Sequence, residues 1–164
     1  MAKGIHRMSW IVFVLALATL GALFAAAHQS RTKVPDYGLD EGRLRGCPAT
    51  PNCVCSEAGG TDPARAIEPL PLADRERTAA WQALQDAVAA LGGEVVLSTG
   101  DYLAATFRTP LFGFVDDLEA RLDRDAGVIQ LRSASRVGHS DLGANRKRIE
   151  RIARHYAAQG HSDP

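Results

Sequence analysis

Three thiols fall close together, at Cys47, Cys53 and Cys55, in the segment Cys47-Pro-Ala-Thr-Pro-Asn-Cys53-Val-Cys55-Ser56. Thiols so spaced can pair, act as redox groups or bind a soft metal. Two prolines constrain the loop between the first two, and in an oxidising compartment a disulfide is the natural expectation. A Cys47–Cys53 bridge closes a small, geometrically accessible loop, whereas Cys53–Cys55 would be strained across one residue. Cys55 is then the odd thiol. It could be redox-active or intermolecular, but no activating base lies nearby, so a small buried residue is the better reading. Zinc is disfavoured, because the segment holds no histidine and oxidation competes for its sulfurs. No metal and no cofactor is expected.

The second chemical stretch runs from Gln130 to Arg146 and contains Arg132, Ser133, Ser135, Arg136, His139, Ser140, Asp141 and Asn145. Serine, histidine and aspartate invite a hydrolase, but sequence neighbours on an extended strand rarely aim at one reacting atom, and no Gly-x-Ser-x-Gly elbow is present. Ser140 or Asp141 is better explained as a helix cap. Strand alternation puts Gln130, Arg132 and Arg136 on one face and Ile129, Leu131, Ser133, Ser135 and Val137 on the other. In a hairpin turning at Asp125–Gly127, Glu119 falls opposite Arg132 and Asp117 is within diagonal reach, which makes cross-strand ion pairs the first expectation. The competing function is an anion site, in which two guanidiniums beside the free amides of a helix start near Gly143 cradle a phosphate or carboxylate.

The elements that must position these groups are legible in outline. Trp81, Leu84, Val88 and Leu91 recur at helical spacing after a capping Asp74 and before Gly92-Gly93. A short strand over Ala66–Leu72 precedes this helix. Strands follow at Glu94–Ser98, Tyr102–Thr109, Phe112–Asp123 and Val128–Val137, separated by turns too short for parallel crossovers. Beyond Asp141 a last helix places Leu142, Asn145, Ile149, Ile152 and Tyr156 on one face and cations around the other. Asn145 on the apolar face must find buried partners, with backbone groups of the nearby turn as the expectation. The cations of that helix form a solvated face or, alternatively, meet an anionic membrane surface. The fold class is α+β: an antiparallel sheet of about four strands with two main helices, preceded by one hydrophobic helix.

That leading helix follows from Trp10–Ala27, an uncharged run behind Lys3, His6 and Arg7. At ~1.5 Å per residue such a run spans about 27 Å, close to a bilayer core. The positive end stays cytoplasmic, so the rest emerges on the extracytoplasmic, periplasmic side of a cytoplasmic membrane. A competing parse takes Ile11–Phe24 with Ala25-Ala26-Ala27 as a cleaved signal and a secreted domain. Residues 1–28 thus read as anchor or signal, 29–45 as a polar linker, 46–158 as a single domain and 159–164 as a tail. Without Lys3 and Arg7 the chain carries 17 basic against 19 acidic residues, a balance that argues against nucleic acid as a partner. Arginine outnumbers lysine by 16 to 3, which suits phosphate or carboxylate recognition but fits genomic bias better.

Three ordered motifs then stand out: Cys47-Pro-x-x-Pro-Asn-Cys53-Val, Phe114-Val-Asp-Asp-x-Glu119, and Arg132-Ser-x-Ser-Arg136-x-Gly-x-Ser140-Asp141-x-Gly143-x-Asn145-Arg146. Over roughly Leu44–Tyr156 they resemble the bacterial and plastid family catalogued as domain of unknown function 1499. Where that family usually has serine, this chain has Cys55, which strengthens the pairing of Cys47 with Cys53. The resemblance implies a shared fold and polar site, but neither a substrate nor a reaction. The reading is therefore an extracytoplasmic module, anchored through residues 10–27 or secreted. It binds an anionic small ligand, lipid headgroup or envelope protein without catalysis, through Arg132, Ser135, Arg136, His139, Ser140, Asp141, Asn145 and Arg146. The alternatives are an envelope enzyme, using the Cys55 thiol or the Ser133–Asp141 stretch, and a structural scaffold.

Overall fold

The structure, a computed structural model, describes residues 2–57 and 62–159, with side chains from Trp10 onward. Of the tail read at 159–164, all but Gln159 lies outside the described residues. Helix α1 (Ala2–Thr32) leads into a small hairpin of β1 (Leu39–Asp40) and β2 (Arg43–Leu44). Strand β3 (Cys53–Cys55), strand β4 (Leu70–Pro71) and helix α2 (Arg77–Ala90) follow. The four long strands are β5 (Glu94–Ser98), β6 (Tyr102–Arg108), β7 (Val115–Asp123) and β8 (Val128–Ser135), and α3 (Ala144–Ala158) comes last.

The protein is α+β, as expected, but its main sheet has six strands rather than about four, in the order β3-β8-β7-β6-β5, with β4 pairing the far end of β8. The meander β5–β8 matches the expected strands to within a few residues. Beyond the meander, β3 and β4 are three and two residues long and both pair with β8; β4 falls within the short strand expected at Ala66–Leu72, whereas β3 is too short to leave a periodic signal.

One face of the sheet carries the core. Leu103, Leu118, Ile129, Leu131 and Val54 project from the strands and meet Leu84 and Val88 of α2 and Ile149, Ile152 and Tyr156 of α3. Removing each large aliphatic side chain from water stabilises the fold by about 2 kcal/mol. A one-residue slip would expose every strand contribution, so the register is firmly set. Gly92, with φ 78°, turns the chain out of α2, and a Cβ at Gly93 would meet Phe107 and Val88 at 2.6 Å, so both glycines are required there.

Three local expectations need correction. Asp74 does not cap α2: the helix starts at Arg77 behind Glu76, without a side-chain cap. Leu142 is not on the buried face of α3; it is 88% exposed in the turn ahead of the helix, at φ 53°. The strand at Ala66–Leu72 reduces to Leu70–Pro71 and one isolated bridge between Ala66 and Cys55, because Pro69 and Pro71 withhold ladder donors. The polar segment 29–45 makes ordered contacts with the domain. Helix α1 continues to Thr32, the buried Ser30 hydroxyl bonds both the amide and the carbonyl of Val115, and Leu44 is buried.

From Trp10 to Thr32, α1 is long and apolar enough to span a membrane or act as a signal, with a mean hydropathy of 2.4. Its large apolar side chains from Trp10 to Phe24 stay exposed among the described residues. Only its last turns touch the domain.

Candidate functional site

The face of the sheet opposite the helices is polar, and β7 shows why. Asp117, Glu119, Arg121 and Asp123 alternate with Leu118, Ala120 and Leu122, so burying the apolar set on the core side projects four charges to the other side. Residues 33–57 fold over these charges. Glu119, 1% exposed, accepts from Tyr102 Oη at 2.5 Å and the Gly38 amide at 3.1 Å, and pairs with Arg132 at 2.9 Å. One residue pair along, Arg136 Nε and Nη2 grip the Asp117 carboxylate at 2.9 and 2.8 Å. Tyr37 donates to the same carboxylate at 2.7 Å. Lys33 and Arg136 exchange bonds to each other's carbonyl oxygens.

Further along, Glu57, whose side chain is fully buried, accepts from the Leu44 amide at 2.7 Å and from Arg43, and pairs with Arg121. Burial first, and then hydrogen bonds to carboxylates, push both the Tyr37 and the Tyr102 hydroxyls well above the ordinary tyrosine range.

The ion pairs anticipated across the hairpin are present, Glu119 with Arg132 in direct register and Asp117 with Arg136 on the diagonal. They line a cleft of about 370 Å³, together with Lys33, Asp36, Arg45 and the cysteine turn at Cys47-Pro48. Four cations face three carboxylates there. Arg132 Nε is buried without a hydrogen-bond partner.

Ser135 also lines this cleft, and the other sequence-predicted residues lie elsewhere. Ser133, Ser135 and Asn145 meet on the helix side. The buried Asn145 accepts from Ser133 Oγ at 2.6 Å and Arg148 at 2.5 Å, and donates to the Asn52 carbonyl at 3.1 Å and Ser135 Oγ at 3.0 Å. Arg148 also pairs with Asp116 at 2.5 Å and sits over the Phe107 ring. Asp141 takes the Gly143 and Asn145 amides, so the α3 start is satisfied from within. Ser135, Ser140 and Asp141 line a separate cavity of about 380 Å³ against Leu23, Ala26 and Ser30 of α1. Arg146 donates to the carbonyls of Ala64 and Ala66. His139 is exposed.

The eight positions thus divide between two faces of the sheet: Arg132 and Arg136 stand apart from the α3 start. The serines bond to an amide and an arginine rather than to His139, so no nucleophile–base pair forms on this stretch.

Cys47 and Cys53 are disulfide-bonded, with Cα atoms 5.5 Å apart, and Cys55 is free and buried. Pairing fixes the turn beneath the cleft and removes two of the three thiols from any redox or metal role. Replacing both paired cysteines by serine is expected to destabilise the domain by about 2 kcal/mol, the loop-closure cost of so short a ring. Urea denaturation of the full chain with and without reductant measures this, and an unmoved midpoint would show that β3 pairing alone holds the turn. Alkylation after denaturation should label one thiol.

Tyr37, Glu57, Tyr102, Arg121, Asn52 and Arg148 belong to these clusters, and sequence reasoning missed them. The alternating charges of β7 were the available signal for Arg121. Nothing local marks Tyr37 or Glu57, whose partners lie 80 and 64 residues away in the chain.

An antiparallel sheet with helices on one face, a covered ion-pair cluster on the other and an apolar N-terminal helix defines an α+β domain with one candidate membrane or signal segment. The family described as protein of unknown function, DUF1499, matches residues 43–155, and the chain belongs to that family. Among curated proteins, none matches the chain.

Proposed function

We propose that the chain is a membrane-anchored extracytoplasmic module that binds a small anionic ligand, with a lipid headgroup as the preferred source, in the cleft beside Lys33, Arg45, Arg132 and Arg136. The carrying observation is the excess of cations in that cleft, with Arg132 Nε buried and unpaired at its wall. An added anion would satisfy that donor and balance the site. The position of the cleft supports a headgroup, since Lys33 directly follows the last residue of α1. Retention of α1 is supported by its unbroken course through Ala25–Ala27 and by docking of Ala27 and Ser30, both 0% exposed. Lys3 and Arg7 favour the cytoplasm for the N-terminus, and the disulfide suits an oxidising compartment on the other side.

A non-catalytic role is favoured by the internal saturation of the serines and by the burial of Cys55. Thermal-shift titration of the detergent-solubilised full chain with phosphate, glycerol phosphate and small carboxylates tests the reading. At least one should raise the midpoint of the parent, and Lys33→Gln/Arg45→Gln and Arg132→Lys should each blunt the rise. A response identical in all three proteins would show that the cleft is not the binding site.

A further inference from the structure

A second cationic cleft lies on the opposite side of the sheet. It holds about 380 Å³ between the end of β6 and the exposed side of α3, and it is lined by Phe107, Arg108, Pro110, Lys147, Arg148 and Arg151, among others, with no carboxylate among the described residues of its wall. Arg148 is committed to Asp116, Ser133 and Asn145 and forms the floor beside Phe107. Arg108, Lys147 and Arg151 are different. All three are exposed, and no ion pair or side-chain hydrogen bond engages them among the described residues. Lys147 and Arg151 stand one turn apart on α3, a like-charge spacing that opposes the helix unless a counter-charge intervenes. The side chains therefore converge on a volume of ligand size that an anion would stabilise.

What surrounds the cleft identifies the anion. Pro110 leads from its rim into the loop Thr109–Phe114, where Leu111 is 80% exposed. The neighbouring Phe112 packs edge-on against Phe24 of α1, with ring centroids 5.5 Å apart, and its carbonyl accepts from Arg31 at 2.9 Å. Leu142, 88% exposed, projects from the turn before α3. Phe24 lies within the apolar span and Arg31 beside its last residue, Thr32, so the loop runs alongside the final turns of that span. Two bare leucines and a run of unpaired cations beside the end of a membrane-length helix match the layering of a leaflet, acyl chains first and phosphates behind.

We infer that this cleft binds the phosphate of an anionic phospholipid, with Leu111 and Leu142 seated among the acyl chains, so that the domain lies on the bilayer. The inference rests on α1 being embedded but not on the Arg132 cleft holding a ligand.

The test uses the full chain in a neutral detergent, titrated with short-chain phosphatidylglycerol or phosphatidylcholine while lipid adducts are counted by native mass spectrometry. Phosphatidylglycerol should bind more tightly than phosphatidylcholine and weaken as salt rises. The substitutions Arg108→Gln, Lys147→Gln and Arg151→Gln should together weaken binding roughly hundredfold, about fivefold for each cation removed. Lys33→Gln/Arg45→Gln should leave it intact, which separates this site from the first. Leu111→Ser/Leu142→Ser should weaken both lipids alike.

Equal affinity for the two lipids, or undiminished binding by the triple variant, would overturn the inference. So would competition by inorganic phosphate at the lipid's own concentration, since the cleft would then be a site for the free ion. The substituted cations are exposed and unpaired, so the triple variant should fold. Arg151→Glu alone provides a second reading, with a larger loss than Arg151→Gln expected.

Discussion

Glu119→Ala is expected to destabilise the domain by about 4 kcal/mol, because it leaves a buried counter-charge unpaired. The residue is 1% exposed, and three donors converge on it: the Arg132 guanidinium, the Tyr102 hydroxyl and the Gly38 amide. Truncation leaves a mostly buried cation without its counter-charge, and the cost is that stranded charge rather than the strength of the pair. Removing both partners should therefore be much milder. Glu119→Leu/Arg132→Leu is expected to regain most of the loss, because apolar side chains of similar size can replace a buried pair at little cost. Urea denaturation of the solubilised chain, followed by near-ultraviolet circular dichroism, measures all three proteins. A double variant as unstable as Glu119→Ala would show that the pair is not the source of the effect.

Two tyrosines of the same cluster make the fold sensitive to alkali. The Tyr37 and Tyr102 hydroxyls have folded values raised above the unfolded one by burial and by Asp117 and Glu119, respectively. A raised acid binds its proton more tightly in the folded state. Its contribution is therefore complete below the unfolded value, near pH 10, and is lost as the pH rises through the folded value. Absorbance of tyrosinate should accordingly appear at higher pH in the native protein than in urea, and coincident titrations would contradict the burial of both hydroxyls.

Asn145→Ala is expected to cost about 3 kcal/mol. One side chain at the start of α3 makes four hydrogen bonds, and its removal leaves the buried Ser133 hydroxyl without an acceptor and takes one partner each from the Asn52 carbonyl, the Ser135 hydroxyl and Arg148. Asn145→Asp should not restore stability, since it loses both amide donations and sets a carboxylate against the Asn52 carbonyl. Ser133→Ala deletes a single donor and should cost about 1 kcal/mol. This order, Asn145→Ala well above Ser133→Ala, distinguishes a hub from a chain of independent contacts, and equal losses would remove the hub. The cysteine turn depends on it as well, because Asn52 lies next to Cys53 and bonds Asn145, Ser135 and Gly138.

Local pattern was enough for the long elements. The alternation along β7 and β8 needed only side-chain period and turn chemistry, and it correctly opposed Glu119 to Arg132 and faced Asn145 inward on α3. It failed where the deciding contact was distant in the chain. Asp74 has the right chemistry for a cap, but the path of the chain out of β4 delays α2 to Arg77. Leu142 fits the helical spacing, yet the turn at Leu142 and Gly143, held by Asp141, starts α3 after it. The candidate site divided for the same reason. Neighbouring residues of one strand point to opposite faces, so a polar stretch contiguous in sequence separated into an arginine set under residues 33–57 and a serine–asparagine set under α3.

By itself the sequence determined what depends on a residue and its near neighbours: the apolar span, the meander and its faces, and the proximity of Cys47 to Cys53. Tertiary structure decided which charges are neutralised and which stay free, since that depends on what folds over each face. Residues 33–57 cover the β7 charges and bring Tyr37 and Glu57 to them, whereas none of the described residues covers Arg108, Lys147 and Arg151. Desolvation and pairing act through space, and separations of 64 and 80 residues leave no trace in local pattern.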